Sequence, residues 1–593
     1  MELMRSKSNP KDGFVSPDDC STTLKTTKEP VFLSEVVYDG QVEQGVEFDY
    51  VLPDYYPDIF KVLKCSLTPC VVSHSISGNQ LYCDGVVYIK VLYLSRESNT
   101  VNCIEQRYTY SKTVEMGKSA DKSEINSDNA VVHLSPKTDY CNCRAVSGRR
   151  IDVRGAVSCK VKVTSTRESQ MITGVSGLGT ETRNTTLNYC GEKLTASRQF
   201  VVREDIETGV GSSGISSIVH HCVNVTVTDY KIVANKVIVK GEALIKALYL
   251  KNTANSANSD GEFIMSEPQN ENEGDTIESN INSPTQEAEV MEAVIPLSQI
   301  MDLSGVNENH VCFVNLSVMD CDLEIKAGDA NTDDYNRLFS CDLTVDCTIT
   351  AHLEKEVMPL TDMYSVDYES SFMKSVMRIE TMPHIIERQL SLKGMVECTE
   401  NVGPGNLQEV YDSRCDISSV VCRVRENNDS GETSFNELVI TGQANMQIMG
   451  RLDSNSPVFI EKTEPFELVT EMGEFSVAKT VPENFIIEPN LQVVNTTFSL
   501  SSENRVELRV VLKLSGCLYQ MHSIEVIKEI SVNQDAPKAK EDAYALKLYY
   551  AEKNEEVWNI AKRYNTGAGA IIAENDMECD RISEPCMLLI PIV

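Results

Sequence analysis

The sequence is poor in histidine, tryptophan and basic residues, and it has no long apolar run. Eight histidines and one tryptophan occur among 593 residues, and no stretch of about 18 apolar residues is present to span a membrane. Aspartate and glutamate outnumber lysine and arginine by 88 to 54, giving a formal net charge of −34. Because nucleic acids and anionic membrane surfaces are also negative, we expect neither as the main partner, and we expect no membrane span.

Motifs of the common enzyme classes are also missing. P-loop, HExxH and GxSxG patterns are absent from the sequence. Residues 209–214 match GxGxxG by letters, but strand-like residues follow, so no helix N-terminus is predicted there to bind a phosphate. His220 and His221 are adjacent on a predicted strand, where they point to opposite faces and do not bind one metal together. We therefore predict no catalytic, cofactor or metal site and a protein that is not an enzyme.

The twenty cysteines are scattered, and no Cys-x-x-Cys occurs. Many lie at apolar strand positions, which favours reduced, buried thiols in a cytosol. Cys141 and Cys143 are the only close pair, and the sequence identifies no two further ligands that would complete a zinc site. Residues 1–5 are not followed by the apolar stretch of a secretory signal, so we expect no standard export.

Three segments resemble one another. Residues 79–94 read NQLYCDGVVYIKVLYL, residues 235–250 read NKVIVKGEALIKALYL, and residues 436–450 form a weaker copy, NELVITGQANMQIMG. Their β-branched residues predict long strands, and the glycine in the middle of each predicts a bulge or a close approach of two backbones. These glycines are Gly85, Gly241 and Gly442.

Each copy is followed by a strand with alternating apolar and polar residues, which we predict as its partner. This strand begins 66 residues after the glycine in the first copy, 64 in the third and 97 in the second. The surplus of roughly thirty residues matches residues 252–284, which contain no lysine or arginine and are rich in Asn, Ser, Glu and Asp. This composition predicts an acidic, disordered insertion, and it favours a solvated spacer over a site for a basic partner.

The length favours about four domains. Three strand-rich units that each begin with their own strand, at residues 31–35, 199–203 and 389–393, predict a mainly β fold of three tandem β-sandwich or barrel-like domains. The predicted organisation is a flexible arm (1–30), a first domain (31–165), a second domain (166–355), a connector (356–382), a third domain (383–532), a linker (533–542) and a C-terminal domain (543–593). Residues 166–192 and 354–382 connect the units, and these connecting segments are expected to carry short helices.

The C-terminal residues combine strand and helix signals. Residues 546–550 are apolar and predict a strand, and residues 554–556 supply a cap and two acids for a helix that follows with apolar residues at helical spacing. A second helix is predicted over residues 568–574 and a last strand over residues 586–593. The segment is therefore predicted to be a small α+β domain of the order strand, helix, helix, strand.

This C-terminal segment resembles a LysM domain in Ile560-Ala-Lys-Arg-Tyr564, in Asn575 and in Ile590-Pro591. Residues 554–557 replace the Gly-Asp-Thr-Leu turn of the family, and Pro585-Cys586 replace its Gly-Gln. LysM domains bind N-acetylglucosamine glycans between these two loops, so the departures weigh against sugar binding. We predict a protein-binding site there, at Lys553, Asn554, Trp558, Asn575, Asp576 and Met577. For Trp558 two interpretations stay open, an exposed partner anchor or a cover of the small core.

Almost the whole chain resembles the SPOCS-domain spore coat morphogenesis proteins of the SipL type, found in clostridial endospore formers. The resemblance depends on residues 85–93, 241–249, 149–151 and 560–564 and on the order of the domains. It implies a scaffold in the cytoplasm of the mother cell, at the forespore surface, whose LysM domain docks on the coat morphogenetic ATPase and whose SPOCS domains act as spacers or self-associate. The alternative is a glycan-binding protein of the cell wall or spore cortex, which the expected lack of export disfavours.

Overall fold

Strands dominate the fold of the protein, which is described here by a computed structural model. The structure describes residues 23–95, 100–117, 130–208, 215–251, 288–326, 337–398, 405–427, 434–454, 456–472, 485–502, 504–539 and 545–592. The predicted acidic insertion (252–284), the GxGxxG segment (209–214) and most of the predicted N-terminal arm lie outside the described residues.

The first unit consists of two antiparallel sheets of three strands that pack face to face. One sheet has the order β1 (Lys25–Val51), β6 (Arg150–Ser176), β5 (Ala130–Ser147), and the other β2 (Ile59–Ser77), β3 (Gln80–Ser95), β4 (Val101–Glu115). Val87 and Ile89 of β3 and Ile151 and Val153 of β6 are at most 1% exposed and belong to one core cluster between the sheets. Alternation of apolar and polar residues therefore buries one face of each sheet.

The second and third units repeat this strand order. The second unit pairs β8 (Leu187–Glu207), β13 (Leu338–Val357) and β12 (Val311–Lys326) in one sheet and β9 (Ile215–Val233), β10 (Lys236–Lys251) and β11 (Ala288–Asp302) in the other. The third unit pairs β16 (His384–Glu397), β21 (Arg505–Pro537) and β20 (Phe485–Ser502), and β17 (Leu407–Asn427), β18 (Ser434–Leu452) and β19 (Pro457–Glu471). The prediction of a mainly β fold with three sandwich units is confirmed.

The predicted pairing within each copy is wrong. β3 pairs with β2 and β4, whereas the alternating strand downstream of it, β6, pairs with β1 and β5 in the opposite sheet. Both strands bury one apolar face in the same core, and alternation alone does not tell a hydrogen-bonded neighbour from a strand that faces it across a sandwich.

Several predicted boundaries fall inside strands. β1 begins at Lys25 within the predicted arm, and β6 and β21 continue beyond 165 and 532. The connecting segments contain β7 (Thr180–Asn184), β14 (Leu360–Ser365) and β15 (Tyr368–Glu380), where short helices were expected. The extended strands pair with one another, β1 with β6 and β15 with β21, and this long-range pairing overrides the local composition.

The strand extensions of all three units meet in one apolar cluster, the strand hub. Its members come from β1, β6, β8, β13, β15 and β21 and are Val31, Leu33, Met171, Tyr189, Val357, Ile379 and Val526. Each of them is at most 6% exposed. The segments between the units are therefore part of a shared core.

A second contact joins the units at the repeated Leu-Tyr-Leu motif. Tyr93 and Tyr249 are at most 2% exposed and lie in the cores of their own units. The flanking leucines point out of these cores and pack together, at most 7% exposed, in a cluster that also contains Met449 of the third unit. The buried members of this interdomain core are Leu92, Leu94, Val101, Val219, Leu248, Leu250 and Met449.

The predicted bulge is confirmed at all three repeated glycines, and the predicted close approach of two backbones is confirmed at Gly241 and Gly442. At each glycine the neighbouring strand, β2, β9 or β17, carries a register shift. A Cβ atom at Gly241 would lie 2.6 Å from Cδ1 of Leu316 and 2.7 Å from the carbonyl oxygen of Thr226. A side chain at this position therefore has no room.

Substituting Gly241→Ala is expected to lower the free energy of unfolding of the second unit by about 1–3 kcal/mol, because the new methyl group overlaps a backbone oxygen. The control is Gly45→Ala in β1, where no atom lies within 4 Å of the added Cβ. Urea unfolding of the full chain, followed by circular dichroism, measures both variants. Equal unfolding midpoints for the two substitutions would contradict the conclusion that a side chain at Gly241 has no room.

Candidate docking site of the C-terminal module

The C-terminal residues form a small module of two strands and two helices. Its elements are β22 (Leu546–Ala551), α1 (Val557–Tyr564), α2 (Ala568–Glu574) and β23 (Cys586–Pro591), with β22 and β23 paired antiparallel. The predicted order strand, helix, helix, strand is confirmed. The core residues, each at most 2% exposed, are Ala551, Val557, Ile560, Ala561, Ile571, Ile582, Leu588 and Ile590.

The two loops beside α1 and α2 are tied to each other by backbone hydrogen bonds. The N–H groups of Asn554 and Val557 donate to the carbonyl oxygens of Ile582 and Asp580, each at 2.8 Å. The predicted side-chain cap of α1 is wrong, because Glu556 occupies the N-cap position and makes no capping bond. Its carboxylate instead accepts hydrogen bonds from two arginines.

Trp558 faces the chain's own β-sheet units and not a partner. Its side chain is 6% exposed, and the indole Nε1–H donates to Oδ2 of Asp362 in β14 at 2.8 Å. The ring also packs edge-to-face on Tyr364, with 5.0 Å between centroids. The hypothesis that Trp558 is an exposed partner anchor is therefore wrong, since the long-range contact with β14 covers the indole.

Asn575 is likewise used inside the module. Its Nδ2 donates to the carbonyl oxygens of Ile571 and Leu589 at 2.8 and 2.7 Å, and its Oδ1 accepts the N–H of Leu589 at 2.7 Å. These bonds fix the end of α2 to β23. Asn575 thus holds the loop in place and has no spare amide hydrogen for a partner, which corrects its predicted role.

The other four predicted site residues lie in the two loops. Lys553, Asn554 and Asp576 are exposed, and Met577 is half-buried against the core of the module. Asn554 and Asp576 have left-handed backbone angles, with φ of 69° and 49°, which asparagine and aspartate tolerate better than most residues. The six predicted residues therefore separate into two internal ones and four that remain at the surface or its edge.

The module docks on the antiparallel pair formed by β7 and β14, the strands that connect the units. Lys562 Nζ lies 2.7 Å from Oδ1 of Asp362, next to the Trp558 contact. The Tyr364 hydroxyl donates to the carbonyl oxygen of Thr566 at 2.7 Å. Asp362 thus accepts hydrogen bonds from both Trp558 and Lys562. We call the side chains of Asp362, Tyr364, Trp558 and Lys562 the docking contact.

Two further polar contacts lie beside the docking contact. Arg183 of β7 pairs with Glu556 at 2.7 Å, and Lys538 donates to Oδ1 of Asn565 at 2.8 Å. Hydrogen bonds from Arg183 and Arg581 lower the pKa of Glu556 to about 2. Burial raises the pKa of Asp362, but the bonds from Lys562 and Trp558 outweigh it and keep the pKa below its ordinary value. Both carboxylates are therefore held in the charged form.

Sequence reasoning missed an apolar surface on the outer side of the β22–β23 pair. The exposed fractions are 43% for Leu546, 68% for Leu548, 61% for Tyr550 and 55% for Met587. In the strand register, Leu546 faces Pro591, Leu548 faces Leu589 and Tyr550 faces Met587. We call this surface the apolar sheet face: Leu546, Leu548, Tyr550, Met587, Leu589 and Pro591. The available signal was that residues 546, 548 and 550, on one face of the strand, are all apolar.

His220 and His221 make separate contacts, as their positions on the strand predict. His220 contacts Arg414 of the third unit, and His221 Nε2 lies 3.2 Å from the carbonyl oxygen of Cys321. Within the described part of the chain, no group of three or more His, Cys, Asp or Glu residues has the arrangement of a metal site. The helices described here are also too short to cross a membrane.

The fold defines a protein of tandem two-sheet domains with a small C-terminal α+β module. The family model described as SipL, SPOCS domain, matches residues 58–144 and 214–326. The two matched segments cover equivalent parts of the first and second units, from β2 to β5 and from β9 to β12. The match identifies the first and second units as SPOCS domains of the SipL type. Neither the curated proteins nor the solved structures gave a match.

Substituting Asp362→Ala is expected to weaken docking of the module by about 1–3 kcal/mol, because the charge of Lys562 and the indole N–H lose their acceptor. Trp558 is the only tryptophan, so its emission should shift to longer wavelength as the indole meets water. Asp342→Ala is the control, because it removes an exposed ion pair with Arg203 that lies in the second unit. Unchanged emission of the Asp362 variant would show that the docking contact does not hold the module.

Docking is also expected to weaken in acid. The pKa of Glu556 lies at about 2 in the folded protein against an ordinary 4.5, so its ion pairs stabilise docking fully above 4.5 and are lost as the pH falls from 4.5 toward 2. Urea titrations of Trp558 emission measure this stability for the wild type and for Glu556→Gln. The wild type should be the more stable at pH 6, and the difference should shrink below pH 4.5. A difference independent of pH would contradict the prediction.

Proposed function

We propose that the protein is a non-enzymatic scaffold in endospore coat assembly, and that its C-terminal module is a LysM domain that docks on another coat protein through the apolar sheet face. The observation that carries the proposal is this exposed face on a module whose helix α1 is fixed to the strand pair of β7 and β14. The SPOCS match supports the sporulation role, and the βααβ order together with residues 560–564 supports the LysM assignment.

The apolar sheet face has the properties of a protein-binding surface. Leu548 and Tyr550 are more than half exposed, next to each other on one strand, and Met587 lies directly across from Tyr550. Contiguous exposed apolar side chains are uncommon on folded domains unless they bind a partner. Tyrosine and methionine are enriched where partners bind, and tyrosine buries much area at a modest cost in conformational entropy.

The loops of the module favour a protein over a sugar as the ligand. In the described residues, the N–H groups of Asn554 and Val557 are used in bonds between the two loops, which leaves fewer backbone donors for sugar hydroxyls. Trp558, an aromatic side chain suited to stacking on a sugar ring, lies in the docking contact. Lys553 and Asn554 follow closely on β22 and are exposed, so they supply polar groups near the apolar sheet face.

The partner we propose is the coat morphogenetic ATPase on the forespore surface, within the mother cell. The three sandwich units share two apolar clusters, which makes them a stiff support for the module. In this proposal the three units set the distance between the forespore surface and other coat proteins. They also offer surfaces for self-association. The net charge of −34 favours a neutral or basic patch on the partner.

Substituting Leu548→Arg or Tyr550→Arg is expected to reduce capture of the ATPase at least tenfold, because each places a charge in the centre of an apolar contact. Binding is measured with the full-length protein and the purified ATPase. Val294→Arg in β11 is the matched control, since Val294 is an exposed apolar strand residue, 59% exposed, in the second unit. Trp558 emission reports whether the module stays docked. Equal capture by all variants would contradict the proposal.

The glycan-binding alternative is favoured by the LysM resemblance alone. It predicts that the full chain binds chitin or peptidoglycan fragments in a titration. Saturable binding of these fragments, with no binding of the ATPase, would replace the scaffold proposal by this alternative.

A further inference from the structure

Three cysteines of the first SPOCS domain lie together and have no part in the proposed function. Cys65 is on β2, and Cys141 and Cys143 lie two residues apart on β5, on the same face of that strand. The sulfur atoms of Cys65 and Cys141 are 3.4 Å apart. Cys143 is also within hydrogen-bonding reach of Cys65. We call these residues the thiol cluster.

The thiol cluster lies at the seam between the two sheets of the sandwich. β2 is an edge strand of one sheet and β5 an edge strand of the other. The two edges run side by side, since Thr138 Oγ1 of β5 donates to the carbonyl oxygen of Leu67 of β2 at 2.6 Å. All three cysteines are half-buried against the core of the unit, so each keeps part of its surface open to small reagents.

The environment of the cluster activates two of the thiols. Hydrogen bonding with Cys65 lowers the pKa of Cys141 and of Cys143 and outweighs burial, which raises both. The charge of Lys64 lowers the pKa of Cys141 further, and the charge of Glu461 opposes it. By contrast, burial raises the pKa of most isolated cysteines, such as Cys347 and Cys415. Because the thiolate is the nucleophile in thiol chemistry, Cys141 is the residue placed to react first.

We propose that Cys65 and Cys141 form a reversible disulfide by exchange with a low-molecular-weight disulfide. The Cys141 thiolate attacks one sulfur of the reagent, and a bond to Cys141 forms while the reagent's S–S bond breaks and one thiolate leaves. That thiolate takes the proton of Cys65. The Cys65 sulfur then attacks Cys141 Sγ, and the second half of the reagent leaves as a thiolate that takes a proton from water. Two protein thiols are oxidised, and one disulfide is reduced to two thiols.

The bond would link the two sheets of the first domain along their open seam. It joins residues 76 positions apart, and a cross-link of this kind stabilises a fold mainly by restricting the unfolded chain. Its neighbour Lys64 forms an ion pair with Glu461 of the third unit. Oxidation therefore fixes the part of the first domain that contacts the third.

The experiment treats the full-length protein with oxidised glutathione and maps cysteine peptides by mass spectrometry without reduction. The expected result is a linked Cys65–Cys141 peptide pair that dithiothreitol removes, and a higher urea midpoint in the oxidised protein. Mixed disulfides on the exposed Cys579 and Cys586 show that the reagent reached the protein. Glutathione attached to Cys579 and Cys586 in the absence of the Cys65–Cys141 link would overturn the proposal.

Single cysteine substitutions show which of the three thiols form the disulfide. Cys65→Ser and Cys141→Ser should each abolish the link and the rise in midpoint, whereas Cys143→Ser should keep both. Cys321 and Cys341 of the second domain, whose sulfurs are 4.0 Å apart, provide an internal comparison with a looser pair. Trp558 emission and the midpoint of the reduced protein show that each variant is folded. If oxidation raised the urea midpoint of Cys65→Ser as much as that of the wild type, the proposal would also be overturned.

Discussion

The arrangement of the C-terminal module depends on one buried polar contact, in which the carboxylate of Asp362 accepts from both Trp558 and Lys562. A half-buried carboxylate is costly unless its charge is paired and hydrogen-bonded, and here both conditions are met by α1. The contact fixes which side of the module faces the rest of the chain. As a consequence, the outer face of β22 and β23 is left at the surface.

The support beneath the module is built by repetition. Each SPOCS-like unit buries the same alternating face between two sheets, and the Leu-Tyr-Leu motif serves two cores, with Tyr93 inside its own unit and Leu92 and Leu94 between units. Burying a leucine contributes about 1.5–3 kcal/mol. The four buried leucines of the interdomain core therefore stabilise the contact between the first and second units. The third unit contributes Met449 alone among the buried members, in agreement with its weaker sequence motif.

The sequence was sufficient to predict the class of fold, the repeat, the bulges at Gly85, Gly241 and Gly442 and the order of elements in the module, because these follow from local periodicity and turn residues. It was insufficient to predict the pairing of β3 or the strands in the connectors, which depend on long-range contacts. Of the predicted partner-binding residues, Trp558 proved internal because its contact, Asp362, lies 196 positions away. Helical periodicity alone does not show which apolar side of α1 packs on the module's own strands and which packs on another domain.

The central claim is that the module is held against the paired strands β7 and β14, with its indole covered. Acrylamide quenching of Trp558 tests this claim most directly, with the full chain compared with the isolated segment 545–592 and the fold of that segment checked by circular dichroism. The account predicts that the indole of the full chain is quenched several-fold less than that of the folded segment, since Tyr364 and Asp362 cover it only in the full chain. Equal quenching of the two would contradict it.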